Sequence, residues 1–190
     1  LAQGYKPQNI GFAGDSAGGN LVLSTLYHIK LKNLPMPSSA TCISPWTDIS
    51  GNGKTIRTRS FSDPMLPAFR LNDVAEVYAD GLELHDPRIS PLHADVSGLP
   101  PISFHVGSRE ILLSDSVNMH RKILASDGQS NLRVWQNAPH VFQLWAGFIP
   151  QSSQSLQEIA QFILGNWNLD LKIQKIPDTM EIDLPLVGES

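Results

Sequence analysis

Asn9-Ile10-Gly11-Phe12-Ala13-Gly14-Asp15-Ser16-Ala17-Gly18-Gly19-Asn20 is the stretch whose reading decides the fold. Residues 9–13 form a short apolar run that ends in a glycine-rich turn, the pattern of a fully buried parallel strand. Over residues 20–32, Leu21, Leu23, Leu26, Tyr27, Ile29 and Leu31 recur mostly at helical spacing. Between the two lies Gly14-x-Ser16-x-Gly18. The five-residue pattern alone is common by chance, and its place between a strand and a helix is what gives it meaning. In such a strand-to-helix elbow the serine hydroxyl is lifted above the sheet, and small residues at Gly14 and Gly18 relieve clashes. The Ala17 N–H then points toward a developing oxyanion, and the helix N-terminus adds positive potential. The bland alternative is a plain glycine-rich turn.

Working outward, Pro35 and Pro37 close the helix, and residues 40–44 read as a second buried strand stopped by Pro45. Strand, helix, strand predicts a parallel sheet with right-handed crossovers, an α/β architecture. Residues 46–71, with Gly51, Gly53, Pro64 and Pro67, read as irregular, and loops of that length are often functional. A helix is predicted over 72–78 with Asn72 as its N-cap, then a proline-rich connection over 86–101 and a third strand over 102–106. Residues 114–126 follow as a helix, with Val117, Ile123 and Leu124 inward and Gly128 past its end. A fourth strand over 132–135 and an amphipathic helix over 153–164, ended by Gly165, complete the pattern. Residues 1–170 are thus read as one domain and 171–190 as a tail of no assigned structure. Leu1-Ala2-Gln3-Gly4-Tyr5 starts in mid-pattern, like the last turn of a helix closed by Gly4. The chain is therefore expected to be the C-terminal part of something longer.

The 190 residues suffice for a real core. A net charge of −4 gives no basic footprint for nucleic acid, and no apolar run approaches a membrane span. The single cysteine, Cys42, permits no internal disulfide and no cysteine-based metal cluster, which fits a reducing cytoplasm.

Ser16 needs a base. Of six histidines, His28 and His120 fall in helices, His85 and His93 in the proline-rich connection and His105 inside the third strand, where structural roles are expected. His140 differs. It stands in Asn137-Ala138-Pro139-His140-Val141-Phe142, directly after the last strand, where a ring can reach back over the serine. The third member must accept a hydrogen bond from the far imidazole nitrogen. Glu110 and Asp115 compete for that role after the third strand. Glu110 falls on the loop and is preferred; Asp115 sits in the first turn of the next helix, where a helix-start carboxylate has a structural alternative. The order Ser16, acid, His140 is that of α/β hydrolases.

At Gly14-Asp15-Ser16-Ala17-Gly18-Gly19-Asn20 the sequence resembles the hormone-sensitive-lipase family of esterases. Ser44-Pro45-Trp46-Thr47-Asp48, Ser62-Asp63-Pro64-Met65-Leu66, Asp86-Pro87-Arg88-Ile89-Ser90-Pro91-Leu92, Leu99-Pro100-Pro101, the run from Val106-Gly107 to Asp115, and Pro139-His140-Val141-Phe142 agree with it. The resemblance implies an α/β-hydrolase fold, mainly parallel sheet flanked by helices, without its N-terminal strands and cap segment. Most of the family opens the acid loop with aspartate. Aligned on Leu112 that position is Glu110 here, as in a bacterial subgroup that uses glutamate.

The implied substrates are carboxylic esters of short to medium acyl chain, hydrolysed through an acyl-enzyme on Ser16 without metal or organic cofactor. Trp46, Met65, Leu66 and Val141 are the candidate acyl or alcohol site, though each taken alone reads first as plain packing. The family's His-Gly-Gly-Gly oxyanion segment is missing from this chain, so Ala17 N–H is the one donor in view. The rival readings are a non-catalytic binding module, as in plant hormone receptors of this fold that lack the base, and an inert fragment active only at full length. A homodimer through the strand over 132–135 is a further expectation, since that strand should lie near a sheet edge.

Overall fold

A computed structural model describes residues 4–167 of the chain. Four parallel strands, β1 (Gly11–Asp15), β2 (Ser39–Ile43), β3 (Ile102–Gly107) and β4 (Ser130–Trp135), lie in the order β1-β2-β3-β4. Phe12 pairs with Ala40, Cys42 with Phe104 and Val106 with Val134. The helices are α1 (Ala17–Leu31), α2 (Lys54–Thr58), α3 (Leu71–Ala79), α4 (Leu113–Ala125) and α5 (Pro150–Asn166).

Alternation along the strands divides the core. Ala40, Cys42, Ile102 and Phe104 face α1 and α4, where Val22, Leu23, Leu26, Met119 and Ile123 complete a buried cluster. Each fully buried aliphatic side chain there contributes about 1.5–3 kcal/mol relative to exposure. On the opposite face His105 meets Ser155 of α5. A second cluster of Trp46, Ile49, Ile56, Leu71, Ala75, Ile89, Ile111 and Leu112 packs the long connector together.

Several expectations shift. The first strand begins two residues later than read, because Pro7–Asn9 is a turn of 3-10 helix. It is not fully buried: it pairs with β2 alone, and no described strand covers its other edge. The connector read as irregular contains α2 and a 3-10 turn at Ala68–Arg70. Asn72 is not an N-cap, since α3 starts at Leu71 with Arg70 at the cap position. In α4 Ile123 is inward as read and Val117 is half-buried, Met119 is buried beside them, and Leu124, one step of about 100° further round the helix, is exposed. The expectations for residues 1–3 and for the 171–190 tail lie outside the described residues.

Candidate active site

In a parallel sheet every strand ends at the same edge, and open α/β sheets bind ligands there. Here the four C-terminal ends deliver Ser16 after β1, Ser44 after β2, Glu110 after β3 and His140 after β4.

Ser16 adopts φ 54 and ψ −119, a conformation that costs a non-glycine residue about 1–3 kcal/mol. The fold holds it there. Ser16 N–H donates to Ile43 O at 2.8 Å, while Ser16 O accepts from Trp46 N–H and Asn20 N–H, both at 3.2 Å. The glycines around it divide unevenly. A Cβ on Gly14 would stand 2.3 Å from Gly18 O, and one on Gly19 would stand 2.7 Å from Pro45 Cβ. A Cβ on Gly18 would meet nothing within 4 Å, so the clash relief expected of Gly18 belongs to Gly14 and Gly19. Ala17 opens α1, so its N–H has no intrahelical acceptor.

His140 Nε2 lies 3.0 Å from Ser16 Oγ and its Nδ1 lies 2.9 Å from Glu110 Oε2. Glu110 is fully buried. Its second oxygen, Oε1, accepts from Ser44 Oγ at 2.7 Å and from Gly107 N–H. Burial pushes the Glu110 carboxyl up from its ordinary range, and the bonds from His140, Ser44 and Gly107 oppose that rise.

Asp115 goes elsewhere. Its Oδ2 accepts from Thr47 N–H at 2.8 Å and Asp48 N–H at 3.0 Å, which fixes the loop after β2. Burial, with the Asp48 charge beside it, raises its carboxyl to about 7. The same loop hangs from Asn20, whose Nδ2 donates to Trp46 O at 2.7 Å and Ile89 O at 2.8 Å.

A cavity of about 340 Å³ opens beside Ser16 and Ala17, lined by Trp46, Leu66, Pro67, Leu71 and Leu112 among others. Trp46 and Leu66 are in it; Met65 and Val141 do not line it. Asp63 Oδ1 accepts from both Met65 N–H and Leu66 N–H, and in that turn Met65 stays partly in solvent. Val141 is buried at φ 47, with its N–H turned toward Ser44 Oγ.

Of the other histidines, His105 is buried. Trp135 Nε1–H donates to its Nδ1 at 3.3 Å, and Ser155 Oγ lies 3.1 Å from the same atom. Burial lowers it to about 4, so it is neutral and structural. His93 contacts Asp48 and stacks edge-on against His85, outside the cavity.

Reading the sequence missed Ser44 and Asp63. Ser44 falls inside the second strand as read over 40–44; β2 ends at Ile43, so Ser44 follows it as Ser16 follows β1. Asp63 Oδ2 accepts from Ile111 N–H at 3.0 Å, which ties the wall at Leu66 to the acid loop. That link spans 48 residues and no local pattern announces it.

The chain matches the family model described as the alpha/beta hydrolase fold over residues 2–144. It is 31% identical over 163 residues to an acetyl-hydrolase of Streptomyces hygroscopicus, covering 86% of this chain and 54% of that protein. It is 34% identical over 163 residues to an esterase of Acinetobacter venetianus, covering 85% and 54%. Among solved structures, an esterase/lipase from an uncultured bacterium superposes with a TM-score of 0.85 at 37% identity, covering 89% of this chain and 57% of that one. An esterase from the bacterial hormone-sensitive lipase family gives 0.86 at 36%, covering 87% and 56%. The chain spans about half the length of the curated relatives it matches. With the strand order, the elbow and these matches in agreement, the chain belongs to the α/β-hydrolase family, in its hormone-sensitive-lipase-like branch.

Proposed function

We propose that this chain carries the catalytic half of a serine carboxylesterase acting on short- to medium-chain esters. The observation that carries the reading is the unbroken chain Ser16 Oγ, His140, Glu110, with contacts of 3.0 and 2.9 Å. His140 Nε2 takes the hydroxyl proton as Ser16 Oγ attacks the ester carbonyl, and the Glu110 carboxylate stabilises the imidazolium that results. Ala17 N–H donates to the oxyanion. His140 returns the proton to the leaving alkoxide, which departs as alcohol and leaves an acyl-Ser16 ester. Water, deprotonated by His140, attacks that ester, and the tetrahedral intermediate expels Ser16 with its proton restored. No metal or organic cofactor enters these steps.

Trp46 and Leu66 supply the apolar wall for the acyl or alcohol group. Met65 and Val141 stand next to that wall in sequence or through the base loop and are the outer candidates. The presence of His140 within 3.0 Å of Ser16 Oγ favours the enzyme over a non-catalytic binding module.

Full activity is expected to need a second oxyanion donor from a segment upstream of this sequence. Beside β1 lies a groove of about 460 Å³ lined by residues 11–14, Gly18, Leu21, Val22 and Thr25, and no described strand fills it. Loss of one oxyanion donor costs about 100- to 1,000-fold in turnover, and unpaired strand groups weaken the sheet. Within this sequence Cys42 is the one thiol and it is buried, a composition that suits a cytoplasmic setting for this part of the protein. No described helix is long and apolar enough to cross a membrane.

The test compares the 190-residue chain with one extended upstream, both assayed on p-nitrophenyl butyrate with thermal melts alongside. Turnover in the extended protein that Ser16→Ala abolishes supports the reading. An inert extended protein overturns it, and full turnover with a cooperative melt from the short chain overturns the need for an upstream donor.

A further inference from the structure

Three strand ends supply the three residues of the proposed triad, and the fourth supplies Ser44. We infer that Ser44 is a positioning residue of this site: its hydroxyl keeps the Glu110 carboxylate anionic and fastens it to the loop that carries His140. The inference deepens the esterase reading and rests on it.

The geometry is specific. Ser44 is fully buried and held at φ 47, and its N–H donates to His105 O at 2.8 Å. That conformation turns Oγ toward the sheet's C-terminal edge, where it donates to Glu110 Oε1 at 2.7 Å and accepts from Val141 N–H at 3.3 Å. Val141 is itself at φ 47, which a β-branched residue adopts rarely. Two residues in disfavoured conformations therefore meet through one hydroxyl, the situation in which surrounding structure over-determines strain at a functional site. His140, next to Val141, is aimed by the same bond.

The electrostatics agree. Glu110 is fully buried, and the groups opposing its neutralisation are His140, Ser44 and Gly107 N–H. The other charged side chains around the acid loop are engaged elsewhere. Arg59 bonds Ser108 O, Arg109 bonds Ser62 O, Asp63 receives Ile111 N–H, and Asp115 of α4 receives Thr47 and Asp48 N–H. Removing the Ser44 hydroxyl leaves Oε1 with one donor. The Glu110–His140 pair then binds a proton more readily, whether it rests on the carboxylate or on an imidazole facing a more basic partner. Both routes move the acid limb of the rate profile upward.

The experiment measures p-nitrophenyl butyrate hydrolysis by the upstream-extended protein between roughly pH 5 and 9. It compares wild type, Ser44→Ala, Ser44→Gly and Ser44→Cys, with Ser16→Ala as the blank. The glycine variant adopts the positive φ of this position without strain and guards against misfolding of the alanine variant. The expected result is an acid limb raised by about one unit in kcat/KM for alanine and glycine, KM within about twofold, and a smaller rise for cysteine, whose thiol donates weakly. An acid limb that stays in place while kcat falls only with the folded fraction overturns the inference and leaves the esterase reading standing. Wild type no faster than Ser16→Ala overturns both.

Discussion

Gly107 passes beneath Ala138 so closely that a Cβ on the glycine would stand 2.2 Å from the Ala138 carbonyl oxygen. The loop carrying Glu110 and the loop carrying His140 thus share one contact surface. Ser108 N–H donates to Trp135 O, Arg109 N–H to Ala138 O and Asn137 N–H to Ser108 Oγ across it. Gly107→Ala is therefore expected to push the loops apart, with a loss of about 1–3 kcal/mol in stability and a drop in kcat beyond the loss of folded protein. A urea titration paired with turnover per folded molecule checks it; a neutral Gly107→Ala would mean the loops are not tightly coupled.

Glu110 and Asp115 competed for one role, and they separate cleanly by partner. Glu110→Gln should lower kcat by up to about 10⁴-fold with little change in KM, because the imidazolium loses its counter-charge. Asp115→Asn should change kcat per folded molecule less than tenfold, since no atom of Asp115 bonds His140 and the asparagine Oδ1 can still accept from the Thr47 and Asp48 amides. If Asp115→Asn were the more damaging to turnover in folded protein, the acid would have been assigned to the wrong carboxylate.

Two buried groups give stability opposite pH dependences. Asp115 titrates at about 7 when folded and near 3.9 when unfolded. The folded state holds the extra proton, so this contribution is full below about pH 4 and is lost as pH rises through 7. His105 titrates at about 4 when folded and near 6.5 when unfolded. Its contribution is full above about pH 6.5 and is lost as pH falls through 4. The two slopes oppose each other in between, and above about pH 6.5 the His105 slope fades first, so the Asp115 slope outweighs it. The melting temperature of wild type should fall between about pH 6.5 and 8, and Asp115→Asn should remove that fall. An unchanged decline in the variant would assign it to another group.

The elbow glycines should respond unequally. Gly14→Ala drives a Cβ into Gly18 O and is expected to cost about 1–3 kcal/mol, as at Gly107, whereas Gly18→Ala in the 190-residue chain should shift the melting temperature little. Equal damage from both would contradict the geometry around Ser16.

How much of this was legible follows from how local each signal is. Strands, helices and the elbow are written in runs of a few residues, so the four parallel strands and Ser16 could be read directly. His140 and Glu110 were legible because their distance from a strand end is itself local. α2 was hidden because Lys54-Thr55-Ile56-Arg57-Thr58 is one short turn preceded by Gly53, with a single buried residue, Ile56. Met65 and Leu66 are neighbours with the same apolar character, and which of them faces the cavity depends on the turn that Asp63 makes. Gly18 and Leu124 failed for a related reason: a motif or a helical pattern names a residue type, while contact is decided by what packs opposite.

The central claim is that Ser16, activated by His140, is the attacking group. Treating the folded protein with a fluorophosphonate and mapping the adduct by peptide mass spectrometry tests it most directly. The expected result is one adduct, on the peptide containing Ser16, absent in Ser16→Ala and formed at least about a hundredfold more slowly in His140→Ala. An adduct on a different serine, or labelling of His140→Ala at the wild-type rate, would contradict it.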